Sequence, residues 1–233
     1  MRLSDPEQLL EQIKAAYLQC DENERLLVGI VGAPASGKST LSEQLALSLN
    51  ADQSITSNAI VVPMDGFHLD NTLLDERGQR SVKGSPQTFD VAGFSHLLQR
   101  LAKPVESVEP AQTQTSESSH DDAIYLPVFD RSMDLSRCAA RVINPSDRLI
   151  LVEGNYLLLN RPGWFDLHRL FKLSVFLDVP FEILQDRLVQ RWLDHGLDEA
   201  SASDRANSND IPNAHVVVSE STQAHFVLGG MRQ

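Results

Sequence analysis

Residues 32–40 read Gly32-Ala33-Pro34-Ala35-Ser36-Gly37-Lys38-Ser39-Thr40 and fit the pattern GxxxxGK[ST]. An oligophosphate needs several donors converging on it without obstruction, and glycines let successive backbone N–H groups point inward together. In this pattern Lys38 reaches the β- and γ-phosphates, and the Ser39 hydroxyl ligates the magnesium that bridges them. Chance alone supplies the pattern in roughly one such chain in a hundred, so its flanks carry weight. Leu26 to Val31 precede it as a short apolar, β-branched run, and Leu41, Leu45 and Leu49 follow at helical spacing. Strand, loop and helix are therefore expected, with Gly32 through Thr40 holding ATP and Mg2+.

Two carboxylates end other apolar runs. In an open parallel sheet ligands collect beyond the carboxyl ends of the strands. Asp65 ends the run Ala59 to Met64 and is a candidate base for a substrate hydroxyl, or a turn cap. Glu153 ends Leu149 to Val152, ahead of Gly154, in the manner of a Walker B acid that orients magnesium, or a capping glutamate. Asp178 also ends an apolar run, but Pro180 and a helical pattern follow, so a turn role is expected.

Arg187, Arg191 and His195 recur at i, i+4 and i+8 beside the apolar stripe Leu184, Leu188 and Trp192. The two arginines either close over phosphates as part of a lid spanning residues 187–213 or belong to a solvated helix face. The polar stretch from Leu197 to Asn213 reads as a lid's return loop or an ordinary surface loop before a last strand, His215 to Val218. Between Asp65 and Pro104 lie Phe67, His68, Arg77, Arg80 and Lys83, placed to hold an acceptor or to keep the chain soluble.

These residues need a frame. Buried-looking runs at Leu26, Ala59, Leu149, Leu173 and His215 alternate with helical stretches, which predicts a three-layer α/β/α fold around a mainly parallel five-stranded sheet. A leading amphipathic helix occupies residues 1–24, an acceptor-binding insertion residues 66–135, and the polar segment Pro104 to Asp122 reads as a mobile surface loop. The 233 residues suit one domain. A net charge of -12, from 32 acidic and 20 basic residues, argues against nucleic acid and membrane surfaces as partners and favours a small-molecule substrate. Two distant cysteines, Cys20 and Cys138, give neither a disulfide scaffold nor a zinc cluster. Met1 to Cys20 resemble neither a signal peptide nor an anchor, so a cytoplasmic location is expected. Oligomeric state is unreadable, with a homodimer left open.

Taken with Gly32 to Thr40, four further stretches carry a family resemblance: Met64-Asp65-Gly66-Phe67-His68, Arg77-Gly78 with Lys83-Gly84-Ser85-Pro86, Thr88-Phe89-Asp90, and Val152-Glu153-Gly154-Asn155-Tyr156. From about Leu26 to Ser219 the chain resembles the P-loop metabolite kinases that include uridine kinase, phosphoribulokinase and bacterial pantothenate kinase. Phe129-Asp130-Arg131, Glu153 to Leu159, and Arg205 followed by Asn209-Asp210-Ile211-Pro212-Asn213 are similar to a nucleoside/nucleotide kinase branch also labelled fructose transport system kinase. The resemblance implies an ATP-dependent kinase acting on a metabolite hydroxyl, with Lys38 and Ser39 on phosphate and magnesium, Asp65 as base, and Arg187 and Arg191 in the lid. It implies acceptor contacts from Phe67, His68, Arg77, Lys83, Arg131, Asn155 and Tyr156. Two positions depart from the pattern. Gly66 stands where uridine kinases and phosphoribulokinases usually carry serine, and Pro127 to Arg131 lack the histidine and Tyr-Asp pair of pantothenate kinases. The acceptor therefore stays open among sugars, nucleosides and pantothenate-like molecules, and a nucleotide-binding regulator without acceptor turnover is the rival reading.

Overall fold

The computed structural model describes residues 1–105 and 122–229. Most of the segment expected as a loop, residues 106–121, lies outside the described residues.

The sheet has six parallel strands in the order β1-β8-β7-β2-β6-β3. They are β1 (Arg2–Leu3), β2 (Leu26–Gly32), β3 (Ala59–Pro63), β6 (Leu149–Gly154), β7 (Leu173–Asp178) and β8 (Phe226–Gly229). All seven residues of β2 are buried, as expected of a strand covered on both faces. Its alternate side chains feed two cores. Leu26, Val28 and Ile30 pack with α1 (Pro6–Leu18) and α2 (Lys38–Ala51), whereas Leu27 and Val31 join the core of α4 (Val91–Ala102), α5 (Phe181–Asp194) and α7 (Ile211–Glu220). This is the three-layer architecture.

The strand count and one strand assignment need correction. His215 to Val218 lie inside α7, and the strand beside β7 is β8 instead. Pro212 sits in the first turn of α7, where its missing N–H costs nothing. Asn213, Ala214 and Val217 form the helix's buried side, so packing at helical spacing overrides the β-branched run. The sixth strand is two residues long, too short for a pattern to reveal, and it pairs with β8. Asp178 at the end of β7 is an ion-pair partner of Arg2 rather than a simple turn residue.

The stretch expected as a return loop is helical too. Asp198 caps α6 (Glu199–Arg205) by accepting from the Ser201 N–H, and one π-helical turn, Ala206–Asp210, joins α6 to α7. Between α4 and β6 stands an antiparallel hairpin, β4 (Ile124–Asp130) and β5 (Leu135–Ile143), with a register shift at Leu126/Val128. The hairpin explains Gly66. A Cβ on Gly66 would sit 2.3 Å from the Pro127 carbonyl oxygen, so the close approach of β4 excludes any side chain there. A short helix, α3 (Asn71–Glu76), completes the insertion, and no helix among the described residues is long and apolar enough to cross a membrane.

Candidate active site

β2 is flanked by β6 and β7, so the loop after Gly32 opens at the sheet's middle. Gly37 holds φ +93°, a left-handed conformation, and precedes α2 without offering a side-chain cap. The first N–H groups of this 14-residue helix are thus left for an anion. Lys38 is only 7% exposed, and its Nζ donates to the Ala33 carbonyl at 2.9 Å. Burial pushes its pKa down, while the charges of Glu153 and Asp65 pull it back up. A buried ammonium with one carbonyl partner and an uncapped helix start fit a bound oligophosphate. The buried Ser36 Oγ, without a partner among the described residues, fits as well.

β6 pairs with β2 so that Glu153 stands opposite Ile30, beside the start of α2. Ser39 Oγ donates to Glu153 Oε1 at 3.2 Å. Burial and then the Asp65 charge raise the Glu153 pKa, with Lys38 and Ser39 opposing. A hydroxyl in contact with a buried carboxylate whose charge lacks full compensation is a donor set suited to a hard cation such as Mg2+.

Asp65 follows β3 in a single 3-10 turn, Met64–Phe67. Its carboxylate lies 3.3 Å from Arg131 Nη2 and 4.0 Å from His68 Nδ1. The His68 ring nitrogen Nδ1 is 2.8 Å from the Asp65 carbonyl oxygen, which can only accept, so Nδ1 carries the proton. The ring packs on Phe89 and Phe129 at 4.1 and 4.7 Å, and this burial lowers its pKa.

Two cavities meet here. One of about 260 Å³ is bordered by the loop residues Pro34, Ala35 and Gly37 to Thr40 with Glu153. The other, of about 370 Å³, lies among His68, Phe89, Phe129 and the segment from Arg191 to Asn213. Pro34, Asp65, Arg131, Asn155 and Arg191 belong to the walls of both.

The remaining expected residues divide. Arg191 borders both cavities, with its pKa lowered by burial first and by Arg131 next. Arg187 donates to the Ala35 carbonyl at 3.3 Å, so this helix face is turned toward the phosphate loop. Three of the expected acceptor residues lie elsewhere. Phe67 packs on Phe94, with ring centroids 5.0 Å apart. Tyr156 is fully buried and donates its hydroxyl to the Gly84 carbonyl at 2.7 Å, so it supports the cavity wall from behind. Burial raises its pKa far above the ordinary value. Arg77 is exposed at the end of α3, where a cation meets the negative end of a short helix. Lys83 does border the larger cavity, but Asp134 and Asn71 already hold its ammonium at 2.8 and 2.7 Å.

Sequence reasoning left Asp134 and Trp192 out of the site, and both border the larger cavity, as does Arg80, which the sequence places among the acceptor candidates. Arg205, Asn209 and Asp210 border it too, marked by their place in the polar stretch before Pro212 and in a family-like motif.

No family model matches the sequence. A Schizosaccharomyces pombe protein provisionally named uridine kinase C227.14 is 32% identical over 216 residues, covering 90% of this chain and 85% of that protein. The chain belongs to the uridine-kinase-like family of P-loop kinases. The ATP-dependent kinase YFH7 of Lachancea thermotolerans is 30% identical to this kinase over 225 residues, 85% of this chain and 63% of that longer protein. A solved structure provisionally called a fructose transport system kinase, from Silicibacter sp. TM1040, superimposes with a TM-score of 0.82 at 40% identity. It covers 97% of this chain and 99% of that one. The fold and the phosphate loop of this kinase are thus those of its family, whose members use ATP and typically Mg2+.

Proposed function

We propose that this kinase transfers the γ-phosphoryl group of ATP to a hydroxyl of a small metabolite bound in the larger cavity. The observation that carries the reading is the membership of Asp65 in both cavity walls. A carboxylate at that junction is positioned to accept the acceptor's hydroxyl proton as its oxygen turns toward the phosphate. ATP with Mg2+, when bound, supplies the transferable group and neutralises part of its charge.

In this reading the loop Gly32 to Thr40 orients the phosphates, and Ser39 with Glu153 holds the metal. Arg191 faces the junction and stabilises charge that spreads over the moving phosphoryl oxygens. Arg187 braces the loop through Ala35. Residues 187–213 act as a lid that excludes water, and residues 66–135 hold the acceptor. His68, neutral at pH 7, packs against the junction and keeps Asp65 in place.

A coupled ADP-release screen tests the proposal. Sugars including fructose, nucleosides including uridine, pantothenate and glycerate are each compared with a no-acceptor control. Acceptor-dependent release is expected from one class. Tight ATP binding without any acceptor-dependent release would replace this reading with that of a nucleotide-binding regulator.

A further inference from the structure

The chain as a whole carries a net charge of -12, yet the larger cavity is bordered by more cationic than carboxylate side chains. Most of those cations are accounted for. Arg131 and Arg191 also border the phosphate loop, where Arg131 pairs with Asp65. Lys83 is committed to Asp134. Two arginines remain, Arg80 and Arg205, which border this cavity but not the one at the phosphate loop, and the proposed phosphoryl transfer does not use them. Arg80 reaches Asp75 at 3.2 Å and Asp134 at 3.6 Å, but these pairs are open to water and Lys83 already balances Asp134.

Arg205 is the more telling of the two. Among the described residues it makes no ion pair, although it is half-buried. One guanidinium nitrogen donates to the Ser81 carbonyl at 3.0 Å, and the group lies 5.2 Å from the centroid of the Trp192 ring. The Ser81 contact holds Arg205 against the residue that follows Arg80 in the chain. A stacked, anchored guanidinium without a carboxylate partner is a poor solubility residue and a pre-organised oxyanion receptor.

From this placement we infer that the acceptor carries an oxyanion, a phosphate monoester, at the end opposite the reacting hydroxyl, and that Arg205 and Arg80 bind it. The inference rests on the kinase reading for the word acceptor, but the anion site stands or falls separately. Two planar forks from different elements match the several oxygens and near-double charge of a phosphate better than the single charge of a carboxylate.

The test uses the full chain with its phosphate loop saturated by Mg2+ and a non-hydrolysable ATP analogue. Inorganic phosphate and, separately, acetate are titrated by calorimetry into the wild type, Arg80→Ala, Arg205→Ala and Arg205→Gln. Arg205→Gln keeps a donor for Ser81 without the charge, and a thermal melt shows that each variant is folded. Phosphate is expected to bind once per chain in the wild type. Its affinity should fall about tenfold or more in both Arg205 variants, as expected for loss of a charge-assisted hydrogen bond, while affinity for the analogue is retained. Absence of phosphate binding, binding unchanged in folded Arg205→Gln, or binding of acetate alone would each overturn the phosphate site. The kinase reading is judged by a different signal, ADP release with a sugar against its phosphate monoester. Release with the neutral sugar only would keep the kinase and discard the anion site.

Discussion

Replacing Asp65 by Asn separates chemistry from structure, because the amide keeps the shape and loses the capacity to take a proton. The structure sets the stability cost. The ion pair with Arg131 at 3.3 Å joins side chains 57% and 29% exposed, a setting worth at most about 1 kcal/mol. The His68 ring contact goes to the backbone carbonyl and survives the substitution. Turnover, by contrast, should fall by roughly 10² to 10⁴, the usual weight of a positioned general base. A second consequence is electrostatic. The Asp65 charge helps raise the pKa of Glu153 and supports the charge on Lys38, so its loss should let Glu153 ionise more readily and leave Lys38 less favoured as a cation. Nucleotide binding should therefore change modestly while the rate constant collapses. Acceptor-dependent ADP release gives kcat and KM, and a fluorescent nucleotide with a thermal melt on the same preparation gives binding and fold. A folded Asp65→Asn protein that turns over at near the wild-type rate would refute the assignment, and Glu153 would become the carboxylate to test as base.

Arg191→Ala should lower kcat more than it weakens ATP binding, since its contact strengthens as charge develops, and Arg191→Lys should recover only part of the loss; equal effects on kcat and nucleotide affinity in steady-state and binding assays would count against a transition-state role. Gly66→Ala should destabilise the fold by about 1 to 3 kcal/mol, because the new methyl would meet the Pro127 carbonyl at 2.3 Å, and a denaturant midpoint indistinguishable from wild type would show that β4 yields freely. Glu220 accepts two hydrogen bonds from Arg161, both at 2.6 Å, and that partner holds its pKa below the ordinary 4.5. The unfolded chain then binds more protons, so this contribution is present above about pH 4.5 and is lost as pH falls; Glu220→Gln should flatten the urea-midpoint profile between pH 6 and 3, and an unchanged slope would remove Glu220 from that account.

What was legible in the sequence follows what is local. The phosphate loop and Glu153 are marked by β2 and β6, strands buried on both faces that announce themselves as continuous apolar runs, and Asp65 follows the shorter apolar run of β3. His215 to Val218 look the same by composition, yet Pro212 and the packing of Val217 make them helical. The polar segment around Asp198 disguised a capped helix and a π turn, because serine, alanine and aspartate suit loops and helix starts alike. The motif at Tyr156 implies an acceptor contact, whereas its hydroxyl serves the Gly84 carbonyl from the core side. Arg80 and Arg205 lie 125 positions apart, and only the fold brings one cavity to both.

The loop of residues 81–84 is gripped from two directions. Tyr156 holds the Gly84 carbonyl from the core, while Arg205 and Asn209 hold the Ser81 and Lys83 carbonyls from α6 and the π turn. Any motion that lifts α6 off this loop must break the second pair of bonds together, at a net cost of about 1 to 3 kcal/mol. From these two bonds alone, an opened form would be a minority of at most roughly one molecule in six to one in a hundred and sixty. That fraction scales the observed release rate of whatever leaves by this route, so weakening the Asn209 contact should accelerate departure without touching a single reacting atom.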